Sequence, residues 1–162
     1  MRAQGCGILR RMHSLVRRYI KTAVLFLITG LGIGAWMIVR RELGSGFVGP
    51  YAVSAHTHAI FVGFVMLMIL GVALWLFPRP DKADTRYSPA LAEAAYWLVT
   101  VGTAGRVVGE LLRPTIDDAW LRWMVVLTSL TQVAGLLVYF HTMWSRIRGV
   151  GSKVREAGGE RF

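Results

Sequence analysis

Four apolar runs constrain this chain more than any other feature. They cover residues 22–39, 55–77, 90–112 and about 119–144. A helix needs about 20 apolar residues to cross the hydrocarbon core of a bilayer. Each run is near that length, and flanking residues can extend the first. Apolar residues make up 54% of the 162, and charged residues 17%; soluble domains carry about 25% charged residues. That balance excludes a disordered chain, a collagen-like chain and a disulfide scaffold. The expected class is one all-α, integral membrane four-helix bundle. The lone cysteine, Cys6, has no internal disulfide partner and reads as a free thiol without a role.

Charge orients the runs. The formal net charge is +10, and in a soluble protein that would suggest a nucleic-acid partner. Here the charges flank apolar runs, so no nucleic-acid partner is expected. Arg2, Arg10, Arg11, Arg17, Arg18 and Lys21 precede the first run. Arg79, Lys82 and Arg86 follow the second, and Arg146, Arg148, Lys153, Arg155 and Arg161 follow the fourth. Arg40, Arg41, Arg113 and Arg122 fall on the opposite side. The positive-inside rule then places both termini in the cytoplasm. The expected setting is a bacterial or archaeal cytoplasmic (inner) membrane, crossed several times. The basic start has the general form of a signal peptide, but no small-residue cleavage site closes it. The first run is therefore read as a real helix, with a partly amphipathic lead-in lying on the anionic inner leaflet.

Local signals set boundaries. Gly44, Gly46, Gly49 and Pro50 separate the first two runs, and Phe77-Pro78-Arg79-Pro80 ends the second. Ser88-Pro89 reads as an N-cap followed by proline at the first helical position. Pro114 closes the third run, and Asp117 or Asp118 can cap the fourth. Residues 1–148 form the membrane domain with its lead-in, and 149–162 a polar tail. Trp36, Trp75, Trp120, Trp123 and Trp144 fall near run ends, as an aromatic belt would.

Polar residues inside a membrane are costly and need a reason. The candidates are His56, His58, Arg106, Glu110, Gln132 and His141, with Met124 as a soft partner. The orientation puts His56 and His58 in the first turn of the second helix, near the outer face. Arg106 and Glu110 fall in the last turns of the third helix, Met124 in the second turn of the fourth, and Met37 near the outer end of the first. One layer thus gathers His, Met, Arg and Glu. His141 lies roughly 25–30 Å from that layer by helical rise and reads as an interfacial histidine, as does His13. His56 and His58 are about 200° apart around a regular helix. At least one of them is a candidate cofactor ligand; the alternative is a hydrogen-bonded interfacial pair. Arg106 and Glu110, at i and i+4, can pair with each other, or Arg106 can meet an anionic group with bidentate geometry. Gln132 is expected to hydrogen-bond to another helix, and Met66 and Met68 to pack.

The stretch His56-Thr-His-Ala-Ile-Phe-Val-Gly-Phe-Val-Met-Leu-Met-Ile-Leu-Gly-Val-Ala-Leu-Trp-Leu-Phe-Pro-Arg79 resembles the second helix of the catalytic subunits (subunit I) of the haem-copper oxidase and nitric oxide reductase superfamily. Tyr139-Phe-His-Thr-Met-Trp-Ser-Arg146 is similar to an aromatic-x-x-Met-Trp-x-Arg ending in that family. Gly105-Arg-Val-Val-Gly-Glu110 is similar to short four-helix relatives. The resemblance covers most of the membrane part. In the family a histidine near the outer end of the second helix is an axial ligand of low-spin haem b. The His-Thr dipeptide favours His56 for that role, and burial favours His58. The family's catalytic subunits have many more helices, and their binuclear centre needs histidines that this chain lacks.

The resemblance therefore implies a minimal relative that binds haem b for electron transfer or for binding a diatomic gas (NO or O2), without being an enzyme on its own. It implies cofactor contacts from His56, His58, Arg106, Met124 and Glu110, with Arg106 steadying the propionates. The second axial ligand would be Met124, the same motif in a second copy of a homodimer, or an open position. Expected partners are membrane lipid, a second copy and a respiratory redox protein. Two other classes stay open. One is a copper-binding membrane protein using His56, His58 and methionines. The other is a cofactor-free assembly subunit of a respiratory complex.

Overall fold

A computed structural model describes residues 2–44, 46–78, 87–147 and 158–159, with side chains from residue 14 onward. Four helices account for nearly all of it. Helix α1 spans Arg2–Glu42. Helix α2 spans Pro50–Leu76 and is π-helical over Ala59–Met66. Helix α3 spans Pro89–Leu112. Helix α4 spans Ala119–Met143 and ends in a 3-10 turn, Trp144–Arg146. The side chains of Cys6 and His13, the basic residues of the 79–86 loop and those of the tail beyond 147 lie outside the described residues.

Three segments are long and apolar enough to cross a membrane: Ser14–Glu42, Pro50–Leu76 and Ala119–Arg146. This makes a multi-pass membrane protein. Their surfaces agree, because large apolar side chains face outward along them. Leu25, Ile28 and Leu31 on α1 and Leu127, Leu130 and Leu137 on α4 are all exposed. In water such a surface would be an aggregation liability; in a bilayer it is the lipid face. Trp36, Trp75, Trp120, Trp123 and Trp144 are exposed on it as well.

Two expectations change. The lead-in is not a separate surface element: α1 runs as one helix from Arg2 to Glu42. No proline or positive-φ residue interrupts it, so the backbone has no reason to turn. The second helix starts at Pro50, earlier than its apolar run, because proline is well suited to a first helical position. His56 and His58 therefore lie about two turns inside the helix, not in its first turn. Ser88 and Asp118 do occupy N-cap positions, yet neither side chain makes a capping hydrogen bond.

The helices run antiparallel to their chain neighbours. Helix α1 packs along α2, α3 packs along α4, and the two pairs meet through α2 and α3. At the end formed by the first half of the described α1 side chains and the end of α4, all four converge on a cluster containing Tyr19, Phe26, Leu70, Tyr96 and Tyr139. Tyr19 donates to the Ala92 carbonyl at 3.1 Å, and Tyr139 to the Leu70 carbonyl at 2.6 Å. A buried phenol without such a partner would carry a desolvation cost of about 1–3 kcal/mol. The opposite half of the bundle holds a smaller apolar cluster, Ile33, Ala55, Ala59 and Val107. There α2 presents polar side chains to both of its neighbours.

Candidate functional site

His56 turns toward α1. Its Nδ1 lies 2.9 Å from the Gly30 carbonyl oxygen. A carbonyl can only accept, so Nδ1 carries a proton, and in the neutral imidazole the lone pair is then on Nε2. Gly34 lets the ring lie flush on α1, since a Cβ there would stand 3.0 Å from the ring Cε1. His56 also lines a cavity of about 810 Å³ between α1, residues 46–48 and the start of α2. The other walls are mostly apolar, including Leu31, Ile38 and Phe47, with Met37 and Arg41 as the remaining donor and cation. Arg41 itself pairs with Glu42 at 2.7 Å.

His58 turns the other way, toward α3. Its Nδ1 lies 2.9 Å from the Ser54 carbonyl oxygen, which fixes the same tautomer. It belongs to a polar seam between α2 and α3. Tyr51, Ser54 and His58 recur at helical spacing on one face of α2; Arg113, Glu110 and Arg106 do so on α3. Because the helices are antiparallel, the two rows meet in order. Arg113 lies over the Tyr51 ring at 5.3 Å. The Ser54 hydroxyl donates to Glu110 Oε1 at 2.8 Å, and Arg106 Nε donates to the same oxygen at 3.0 Å. Glu110 is 4% exposed. Its Oε2 stands 3.9 Å from His58 Nδ1 and has no hydrogen-bond partner among the described residues.

The seam continues outward to the turn between α3 and α4. Arg113 and Arg122 both bond to Asp117, at 2.9 and 2.7 Å. Those two guanidinium groups, Arg113 first, hold the Asp117 carboxyl below the usual carboxylate range.

The remaining candidates lie apart. Met124 packs over Gly109, on the α4 side of α3, whereas Glu110 faces α2. Helix α3 thus stands between Met124 and both histidines. Gln132 donates to Thr103 on α3 at 2.9 Å, as expected. His141 is exposed near the C-terminal end of α4. Arg106 makes the i, i+4 pair with Glu110 that its spacing allows. Of the other cavity residues, the sequence places Met37 in the same layer without naming it a ligand, and it does not single out Arg41. The signal for Arg41 is its spacing: Gly34, Met37 and Arg41 recur at helical intervals on α1.

His56 and His58 do not converge on a common point, which weighs against one copper ion held by both. Among the described residues no group of three or more His, Cys, Asp and Glu could hold a metal ion. A haem needs less from the protein: an imidazole of fixed tautomer, an apolar slot and a cation for its carboxylates. The His56 cavity has all three, and its volume falls in the range of about 300–1,000 Å³ usual for cofactor and ligand sites. No family model, curated protein or solved structure matches the chain, so the geometry of the site carries the functional reading.

Proposed function

We propose that this is a membrane haem b protein, a minimal relative of haem-copper oxidase subunit I without a binuclear centre, serving electron transfer or diatomic gas binding. One observation carries the reading. The His56 ring is locked by the Gly30 carbonyl through Nδ1 while it lines an apolar cavity large enough for a cofactor. A backbone carbonyl behind a histidine is the usual way to orient an axial ligand and raise its basicity.

Haem bound there would supply one-electron redox or gas-binding chemistry. The chain's own residues orient, shield and neutralise. Gly30 holds the ring, Gly34 leaves room for it, and the apolar side chains of the cavity would contact the macrocycle. Arg41 is the cation at this cavity, so the propionate contact expected of Arg106 passes to Arg41. In this reading α3 is the fourth span. Its 24 residues cover about 36 Å at helical rise. Glu93 pairs with Arg18 at the inner end, and Arg106 pairs with Glu110 against α2. Paired and inward-facing charges are the form in which a membrane tolerates them.

The test is an absorbance spectrum of the detergent-purified protein, oxidised and dithionite-reduced, with a pyridine haemochrome assay. His56→Ala is expected to lose the b-type spectrum, and His58→Ala to keep it. A wild type that stays colourless after haem reconstitution refutes the reading and favours an assembly role. Loss of haem in His58→Ala alone moves the site to the α2–α3 seam.

A further inference from the structure

A second cavity, of about 350 Å³, lies between α1 and the start of α3. Ser14 and Arg18 line it from α1; Tyr87, Pro89 and Glu93 line it from the other side. Arg18 and Gly34 are about 24 Å apart along α1 by helical rise, so this cavity is separate from the one lined by His56. Its level in the bundle is where the apolar spans stop. Ser14 begins the first span, Leu76 ends the second, and Arg146 ends the last. In a bilayer that level is the boundary between hydrocarbon and headgroups. Arg17, Arg18 and Lys21 are exposed there, and basic side chains at that boundary attract lipid phosphate.

The walls are held from behind. Leu15, which also borders the cavity, is buried in the core cluster. The Tyr87 ring lies 4.8 Å from the Arg146 guanidinium, which is tied to the carbonyls of Leu74 and Phe77. The two charged lining residues have opposite sign and pair with each other: Arg18 Nη1 donates to Glu93 Oε1 at 2.7 Å. Both side chains are about half exposed, at 50% and 49%. Their bond uses one of the five guanidinium N–H donors and one of the two carboxylate oxygens, so each group keeps capacity for a ligand.

A ligand that satisfies both must carry an anionic and a cationic group a few bonds apart. The headgroup of an amine-bearing phospholipid does. We infer that this cavity binds the headgroup of phosphatidylethanolamine, with the phosphate on Arg18 and the ammonium on Glu93, while the acyl chains continue into the bilayer. Arg18 can meet a phosphate with two parallel N–H donors. The ammonium supplies the donors that the second Glu93 oxygen accepts. A trimethylated amine has no N–H to offer, and a headgroup without an amine leaves Glu93 facing a like charge. The bound lipid would tie α1 to the start of α3.

The experiment is native mass spectrometry of the full chain, released from nanodiscs containing equal amounts of phosphatidylethanolamine, phosphatidylcholine and phosphatidylglycerol. Wild type is compared with Arg18→Gln, Glu93→Gln and Arg17→Gln. Half-exposed ion pairs contribute little to stability, so all are expected to fold; circular dichroism and elution volume check this. Wild type should retain one phosphatidylethanolamine at least tenfold over either other lipid. Glu93→Gln should lower the preference over phosphatidylcholine at least fivefold, and Arg18→Gln should retain no lipid selectively. Arg17→Gln, whose side chain is outside the cavity lining, should match wild type. Equal retention of the three lipids, a preference for phosphatidylglycerol, or selectivity that survives both Arg18→Gln and Glu93→Gln overturns the assignment. So does an equal loss in Arg17→Gln, which would make the attraction general to the basic end. Displacement of the lipid by an equimolar amount of soluble phosphoethanolamine would make the free headgroup, not the lipid, the ligand.

Discussion

Arg146 closes one end of the bundle, where α2 ends, with one side chain. It is 3% exposed, and its guanidinium reaches the carbonyls that α2 leaves unpaired as it ends. Nε donates to Pro78, and Nη2 to Leu74 and Phe77, at 2.9, 3.1 and 3.1 Å. The same group lies 4.8 Å from the Tyr87 ring centroid. A cation at a helix C-terminus is favoured by the helix dipole, and a planar fork serves several carbonyls at once. Arg146→Ala is expected to cost about 3 kcal/mol, because it strands buried acceptors that a charged donor had satisfied. Arg146→Lys should recover only part of that, since one ammonium cannot reproduce the fork. Reversible unfolding in mixed micelles would measure both; equal stability of all three proteins would refute the clamp. Arg146 stands in the family-like ending of α4. Its position was readable in the sequence, but its partners at and just beyond the end of α2 were not, because they are backbone atoms 68–72 residues away.

At the scale of elements, close approach of α3 and α4 decides which glycines matter. A Cβ on Gly102 would stand 2.7 Å from the Gln132 amide nitrogen and 2.8 Å from the Thr128 carbonyl oxygen. Those are backbone atoms of α4, so the helices themselves must separate to admit a methyl group. Gly32 on α1 has nothing within 4 Å of such a Cβ. Gly102→Ala should therefore destabilise the bundle by about 1–3 kcal/mol through overpacking. Gly32→Ala should be neutral or stabilise it by up to about 1 kcal/mol through helix propensity. Thermal unfolding of the two variants in one detergent separates them, and equal effects would argue against the tight α3–α4 seam. Both positions read simply as glycine within an apolar run of the sequence. Periodicity alone ranks them equally, since the distinction depends on the neighbouring helix.

The whole molecule is two antiparallel helix pairs joined through α2 and α3, with four-way packing at one end and polar seams at the other. On the proposed reading of α3 as a fourth span, both termini fall on one side, which the positive-inside rule assigns to the cytoplasm. Single cysteines placed near residue 158 and in the 46–49 segment of a Cys6→Ser background should label from opposite sides of oriented vesicles. Labelling from one side would remove a crossing, α3 first, because of the three it carries the most internal charge. By itself the sequence determined the number of helices, their approximate limits and the layer in which His, Arg and Glu gather. Those follow from hydrophobic run length, breaker residues and helical rise, which are local properties. Tertiary structure decided direction within that layer. It turned His56 toward Gly30 and His58 toward Glu110, placed Met124 behind α3 and brought Met37 and Arg41 to the His56 cavity. A helix's sequence gives the angle between its side chains. Which neighbour each side chain meets depends on how the helices pack, and that is settled by the close approaches at glycines and the clamps between distant segments.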